Sequence, residues 1–338
     1  MNTKNIRLSV LDQSPVRKDV TAEQAVQETV ALAKHTDQLG YTRFWVSEHH
    51  NTGSLAGSTP EVLLAYLGGQ TKNIRIGSGG IMMPNHSTLK VAENFRMLEA
   101  LFPGRVDLGM GRAPGTDRIT ASILNPSNHF SEQAFVEQLE DLQHYFHDTA
   151  EEGNVRHRIR AIPQVQTVPA MWLLSSSGES GLFAAHFGMG LSFAHFINPI
   201  GGPQAVQMYR ERFKPSDELQ SPQASVAIFV FCSEDEEKIR RHQALMDYRF
   251  NQFEKGAGLT PAGYEDIKNV IYSEAEQGRI LHNRKRVITG NSGQIKLKLL
   301  QLAKDYDVDE IIAITITEDF EDRLQSYSLL AQALDLPR

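Results

Sequence analysis

Residues 74–110 read IRIGSGGIMMPNHSTLKVAENFRMLEALFPGRVDLGM. Ile74 to Met82 is a short run of strand composition, after which Val91, Phe95, Leu98 and Phe102 recur at helical spacing. Gly104 stands where a helix C-cap is expected, and Arg105 to Met110 is again apolar and strand-like. This is one strand–helix–strand unit, the building block of a parallel sheet. The same alternation runs outward in both directions, with further strands expected at Ile6 to Leu11, Arg43 to Val46, Ala170 to Leu174, Gly190 to Ala194, Ala224 to Phe231 and Glu310 to Ile316. Ala22, Val26, Val30 and Ala33 share one helical face, and Gly40 and Gly188 punctuate as Gly104 does. The expected fold is α/β, a single (β/α)8 TIM barrel over residues 1–338. Ala113 to Asn128 and the polar segment Asn251 to Arg286 exceed a minimal repeat and read as insertions at the C-terminal face, the second of the kind that forms lids.

A net charge of −7, with no basic run interleaved with aromatics, points away from nucleic acid and anionic membrane and toward a small-molecule ligand. The single cysteine, Cys232, excludes an intramolecular disulfide, a thiolate metal cluster and a Cys-x-x-Cys pair, so redox chemistry has to come from a bound cofactor. Met1 to Arg7 precedes no apolar leader core, and no run approaches the roughly 18 apolar residues of a membrane span. The sequence-based expectation is a soluble, cytoplasmic protein.

Barrel enzymes carry their chemistry just past the C-terminal strand ends. Here the second strand ends Ser47-Glu48-His49-His50-Asn51, the third Gly77-Ser78-Gly79-Gly80 through Met83-Pro84-Asn85-His86, the fourth Gly111-Arg112-Ala113-Pro114-Gly115, the fifth Ser175-Ser176-Ser177-Gly178-Glu179-Ser180 and the sixth Phe193-Ala194-His195-Phe196. Each piece alone has an ordinary reading. Adjacent histidines near a glutamate lack metal-ligand spacing and a third ligand, so no metal is expected. A strand glycine pair can mark a bulge, and a serine run can cap a helix. Their conjunction on successive strand ends is what singles them out.

That conjunction, together with Leu11-Asp12-Gln13-Ser14-Pro15 and Gly111-Arg112-Ala113-Pro114-Gly115-Thr116-Asp117, resembles the bacterial luciferase family over nearly the whole chain. The resemblance implies a monooxygenase that uses reduced FMN and O2 on a small organic substrate, with a separate flavin reductase supplying electrons, and a homodimer. For the FMN phosphate, Arg112 offers a planar fork, and Ser176, Ser177, Gly178 and Ser180 offer hydroxyls and N–H groups at a helix start. Gly79 and Gly80 would lie under the flavin ring, joined by a non-proline cis peptide as in luciferase-like proteins. His49 corresponds to the catalytic histidine, Glu48 would orient its surroundings, and His50, His86 and His195 would line the same rim. Two alternatives stay open: an F420- or NAD(P)H-linked oxidoreductase of the same barrel family, and a non-catalytic flavin-binding protein.

Overall fold

The computed structural model describes residues 6–127, 130–149, 158–256 and 261–337. Strands β1 (Arg7–Asp12), β2 (Arg43–Val46), β3 (Arg75–Met82), β4 (Val106–Gly111), β5 (Ala170–Ser175), β6 (Gly190–Ala194), β7 (Ala224–Cys232), β8 (Val287–Gly290) and β9 (Glu310–Ile314) form one parallel sheet. The β6–β7, β7–β9 and β9–β1 pairings close eight of them into a barrel. All eight expected strands are present, two with the expected bounds and six with an end shifted by one or two residues. The ninth, β8, was not expected; it pairs only with the C-terminal half of β7, Phe229 to Cys232.

Around the barrel run α1 (Ala22–Gln38), α2 (Pro60–Gln70), α3 (Thr88–Leu101), α5 (Glu132–His147), α6 (Glu179–His186), α7 (Gly202–Arg212), α11 (Ser292–Tyr306) and α12 (Phe320–Ala333). The short α4 (Arg118–Leu124) occupies the first of the two extra stretches. The second begins within α8 (Glu236–Glu254) and continues through α9 (Tyr264–Ile267) and α10 (Glu274–Asn283), with residues 257–260 outside the described part. Val91, Phe95 and Leu98 of α3 are buried as expected. Val30 and Ala33 of α1 are buried as expected, but the buried face also takes in Ala25, Glu28, Thr29, Leu32 and Thr36, while Ala22 is exposed and Val26 half-buried. Thr29 and Thr36 explain the difference, because their hydroxyls bond Ala25 and Leu32 carbonyls one turn back and need no water. Gly40, beyond the end of α1, has φ +80, and a Cβ there would stand 1.9 Å from the Pro337 carbonyl oxygen.

Alternation along the strands sends Ser9, Arg43, Asp107 and Glu310 into the lower barrel. Arg43 donates to Glu310 (2.5 and 3.1 Å) and Asp107 (2.9 Å), Ser9 donates to Glu310 (2.6 Å), and Arg75 and Trp45 Nε1 complete Asp107 at 2.8 and 3.0 Å. The Arg43 guanidinium stacks on Trp172, 4.6 Å from the ring centroid. Trp45 and Trp172, edge to face at 5.6 Å, cover this charged layer on the side of the C-terminal mouth.

Candidate active site

Above the two tryptophans, at the C-terminal strand ends, lies a cavity of about 230 Å³. Leu11, Trp45, Leu174 and Ile312 give it apolar walls; Gln13, Ser47 and His49 lie on one side and Arg112, Ser176, Ser177 and Ser180 on another. Ser47 Oγ is buried and has no hydrogen-bond partner among the described residues, so a polar group of a ligand can meet it.

The Gly79–Gly80 peptide bond is cis, and the β3–β4 register shifts between Gly79 and Ile81. Gly79 lines the cavity, where a Cβ would come within 2.8 Å of Leu11 Cδ1 and 3.1 Å of Trp45 Cβ. Gly80 does not line it. A Cβ on Gly80 would stand 2.6 Å from the Gly109 carbonyl oxygen, so this glycine lets β3 and β4 approach closely.

Glu48 is fully buried and turned away from His49. Its Oε1 accepts from His50 Nε2 (2.8 Å) and Asn85 Nδ2 (3.0 Å), its Oε2 accepts from Met82 N–H (2.8 Å), and His86 Nε2 sits 3.0 and 2.9 Å from the two oxygens. Burial raises the Glu48 pKa, but the bonds and charge of His86, then His50 and Met82 N–H, outweigh it and hold the carboxyl below the usual 4.5. On His86, burial acts downward and the bond to Glu48 more than offsets it, so that imidazole sits above 6.5. Asn85 also donates to the Pro114 carbonyl (2.8 Å), Thr116 to the His50 carbonyl (3.3 Å) and Asn51 to Asp117 (3.0 Å). The Glu-His-His-Asn and Gly-Arg-Ala-Pro-Gly-Thr-Asp segments are thereby one assembly.

His49 faces the cavity, its Nε2 3.3 Å from the Gln13 side-chain amide nitrogen. Burial lowers its pKa below 6.5 against the opposing pull of the Gly115 carbonyl and Glu48. A neutral ring protonated on Nδ1 accepts the Gln13 N–H and is ready to take up a proton. His195, expected on this rim, lies elsewhere: Tyr306 OH (2.7 Å) and the Lys285 carbonyl (2.9 Å) engage both ring nitrogens.

At the other end, Arg112 already has counterions, Glu179 at 2.5 Å and Glu132 at 3.7 Å, both about two-thirds exposed. Exposed ion pairs of this kind are worth little, so an anionic ligand group can take their place. Ser180 is buried at the first turn of α6, while Gly178 caps that helix outside the cavity lining. The Ser176 carbonyl is held by Asn198 Nδ2 at 2.9 Å and Ser177 N–H by Ser175 Oγ at 3.2 Å, which fixes the turn. A cation, three hydroxyls and a helix start beside a narrow apolar slot fit FMN, phosphate and ring respectively. Among the described residues, no group of three or more His, Cys, Asp and Glu is arranged to hold a metal ion, and no helix is long and apolar enough to cross a membrane.

Gln13, Ser47 and Asn85 are site residues that the sequence reading assigned no role, although all three lie within the motifs it quoted. Their function is set by which way each side chain points, and spacing does not encode that.

Comparisons with known proteins agree with this fold. The chain is 48% identical to the uncharacterized protein YwcH of Bacillus subtilis (strain 168) over 97% of this chain and 99% of that one. It is 34% identical to the N-acetyl-S-alkylcysteine monooxygenase of the same organism, over 97% and 98%. The crystal structure of apo-MsnO8 superposes with a TM-score of 0.89 at 32% identity, covering 98% of this chain and 100% of that one. The oxygenating constituent of 3,6-diketocamphane monooxygenase from Pseudomonas putida, in complex with FMN, shares the fold at TM-score 0.72 and 16% identity over 97% of each chain. The family model for luciferase-like monooxygenases matches residues 6–304, and the chain belongs to that family.

Proposed function

We propose that this protein is an FMN-dependent monooxygenase in which the cavity at the barrel mouth holds the flavin and admits a small organic substrate. The observation that carries the reading is the meeting, in one cavity, of an anion-ready end (Arg112, Ser176, Ser177, Ser180), a flat apolar slot beside Gly79, and the His49 imidazole, whose pKa burial lowers. The FMN complex of a fold relative supports the cofactor. When bound, reduced FMN supplies the two electrons and two hydrogens that convert one atom of O2 to water while the other enters the substrate. The protein's part is to fix the phosphate, exclude water and hold a proton acceptor at His49 Nε2. A separate flavin reductase delivers the reduced cofactor, and Gln252 with residues 261–266 stands at the same mouth. The relative that acts on N-acetyl-S-alkylcysteines makes such compounds the first substrates to test.

The cofactor is tested by titrating purified protein with FMN, reduced FMN and F420 while following absorbance. Arg112→Ala should weaken FMN binding by roughly 10- to 100-fold, the scale of a charge-assisted contact, and leave riboflavin, which has no phosphate, little changed. Equal weakening of both would make Arg112 structural, and F420 binding in preference to FMN would replace the cofactor.

Val62 and Tyr66 on α2 and Met97 and Leu101 on α3 are each more than half exposed, an apolar patch suited to a homodimer. Light scattering should report a dimer at micromolar concentration, and Val62→Glu with Met97→Glu should convert it to monomer. A monomeric wild type removes the dimer.

A further inference from the structure

A second cavity, of about 280 Å³, opens at the same mouth between the loop after β1, α8, residues 261–266 and the residues after β9. It adjoins the first. Gln13 lines one and Pro15 the other, two residues apart in the chain, and β9 runs from Ile312 in the first toward Ile316, just past its end, in the second. A row of rings leads from Phe196 in the first cavity through Phe229 at 5.5 Å to Phe250 on α8 at 5.8 Å, the chain neighbour of Arg249.

The charged groups in this second cavity are engaged, with two exceptions. Arg17 is taken by Glu28 (2.5 Å) and the Glu318 carbonyl (2.9 Å), Lys18 by both Asp266 oxygens (2.7 Å each), Glu265 by Lys268 (2.5 Å) and Glu318 Oε1 by Tyr264 N–H (3.0 Å). Asp19 is exposed at the rim. Arg249, next to Phe250 on α8, is half-buried and lines the cavity, and among the described residues no acceptor lies within hydrogen-bonding distance of its guanidinium. Burial alone pushes its pKa down to about 10, the mark of a cation with neither full hydration nor a counterion. It remains charged at neutral pH.

We propose that the second cavity binds the carboxylate of the substrate through Arg249, which makes the substrate a small organic acid whose oxidised part reaches into the first cavity; this rests on the monooxygenase reading above. The guanidinium fork matches a carboxylate in two parallel bonds. A single cation free among the described residues, with Asp19 at the rim, suits a monoanion better than a phosphate dianion. Arg249 thereby selects substrate and takes no part in holding flavin.

The test is calorimetric titration of the FMN-containing protein with N-acetyl-S-methyl-, S-butyl- and S-benzylcysteine and with the corresponding amides, which are uncharged. The acids should bind roughly 10- to 100-fold more tightly than the amides. Arg249→Gln should abolish that preference, Arg249→Lys, which keeps charge without the fork, should retain part of it, and FMN affinity measured separately by absorbance should stay the same in both. Equal binding of acids and amides by the wild type, or a preference that survives in Arg249→Gln, overturns the proposal. Arg249-dependent binding of NADPH without any acid preference overturns it too and makes the cavity a nucleotide site. If the acids bind through Arg249 while FMN does not bind at all, the carboxylate site stands and the monooxygenase reading falls.

Discussion

Replacing His49 with alanine should lower coupled oxygenation by about 10²–10⁴-fold, the usual scale for losing an acid–base group, while FMN affinity changes little. The separation follows from geometry. His49 and its partner Gln13 lie on one side of the cavity, and Arg112 with Ser176, Ser177 and Ser180 on another, so the phosphate grip survives the substitution. Because burial keeps the His49 pKa below 6.5, the wild-type ring is neutral from about pH 7 upward, and the oxygenation rate should not fall there through loss of its proton. Stopped-flow mixing of the reduced, FMN-loaded protein with O2, following flavin absorbance, hydrogen peroxide and product, checks both statements. Peroxide release should persist or rise in the variant. Product formed at the wild-type rate and yield would reduce His49 to a wall residue.

Glu48→Ala should cost roughly 3–5 kcal/mol of stability, the effect of removing one partner from a buried charged cluster. It takes the acceptor from His50, His86 and the Met82 N–H at once and leaves Asn85 Nδ2 with only its bond to the Pro114 carbonyl. The cost should also depend on pH. The Glu48 pKa is depressed by folding, so its contribution is complete above its ordinary 4.5 and is lost as pH falls through the folded value. The His86 pKa is raised by folding, so its contribution is complete below 6.5 and is lost as pH rises through the folded value. Denaturant unfolding of wild type and variant should therefore differ most between about pH 5 and 6.5, with a smaller gap on either side. A gap that is the same at pH 5.5 and 8.5 would show that His86 and Glu48 are not coupled.

The barrel was legible because parallel strands buried on both faces are written as apolar runs, and the helices between them keep their spacing and terminal glycines. Strand β8 escaped because Val287 to Thr289 is a brief apolar run directly behind Arg284, Lys285 and Arg286. The Gly, Ser, Arg and His residues of the candidate site could be found because a barrel gathers every strand end at one mouth. Which of them touch could not. Glu48 follows Ser47 and precedes His49 in the chain, yet its bonds go to His50, Asn85 and His86, and Tyr306, 111 residues away, turns His195 from the rim. Arg249 left no trace at all, since in the sequence it is one more charged residue on a polar helix. Only the folded chain shows that, among the described residues, nothing pairs with it.

The charged layer of Arg43, Asp107 and Glu310 turns a tube into a cup. These residues are at most 4% exposed, and with Trp45 and Trp172 above them they stopper the barrel from below. Arrivals and departures then share one opening, and water is kept from the cup by whatever sits in that opening rather than by the walls. The stopper is also electrically silent, because Arg43 and Arg75 cancel Asp107 and Glu310. Any sorting of ligands by charge then falls to the rim, where Arg112 and Arg249 stand.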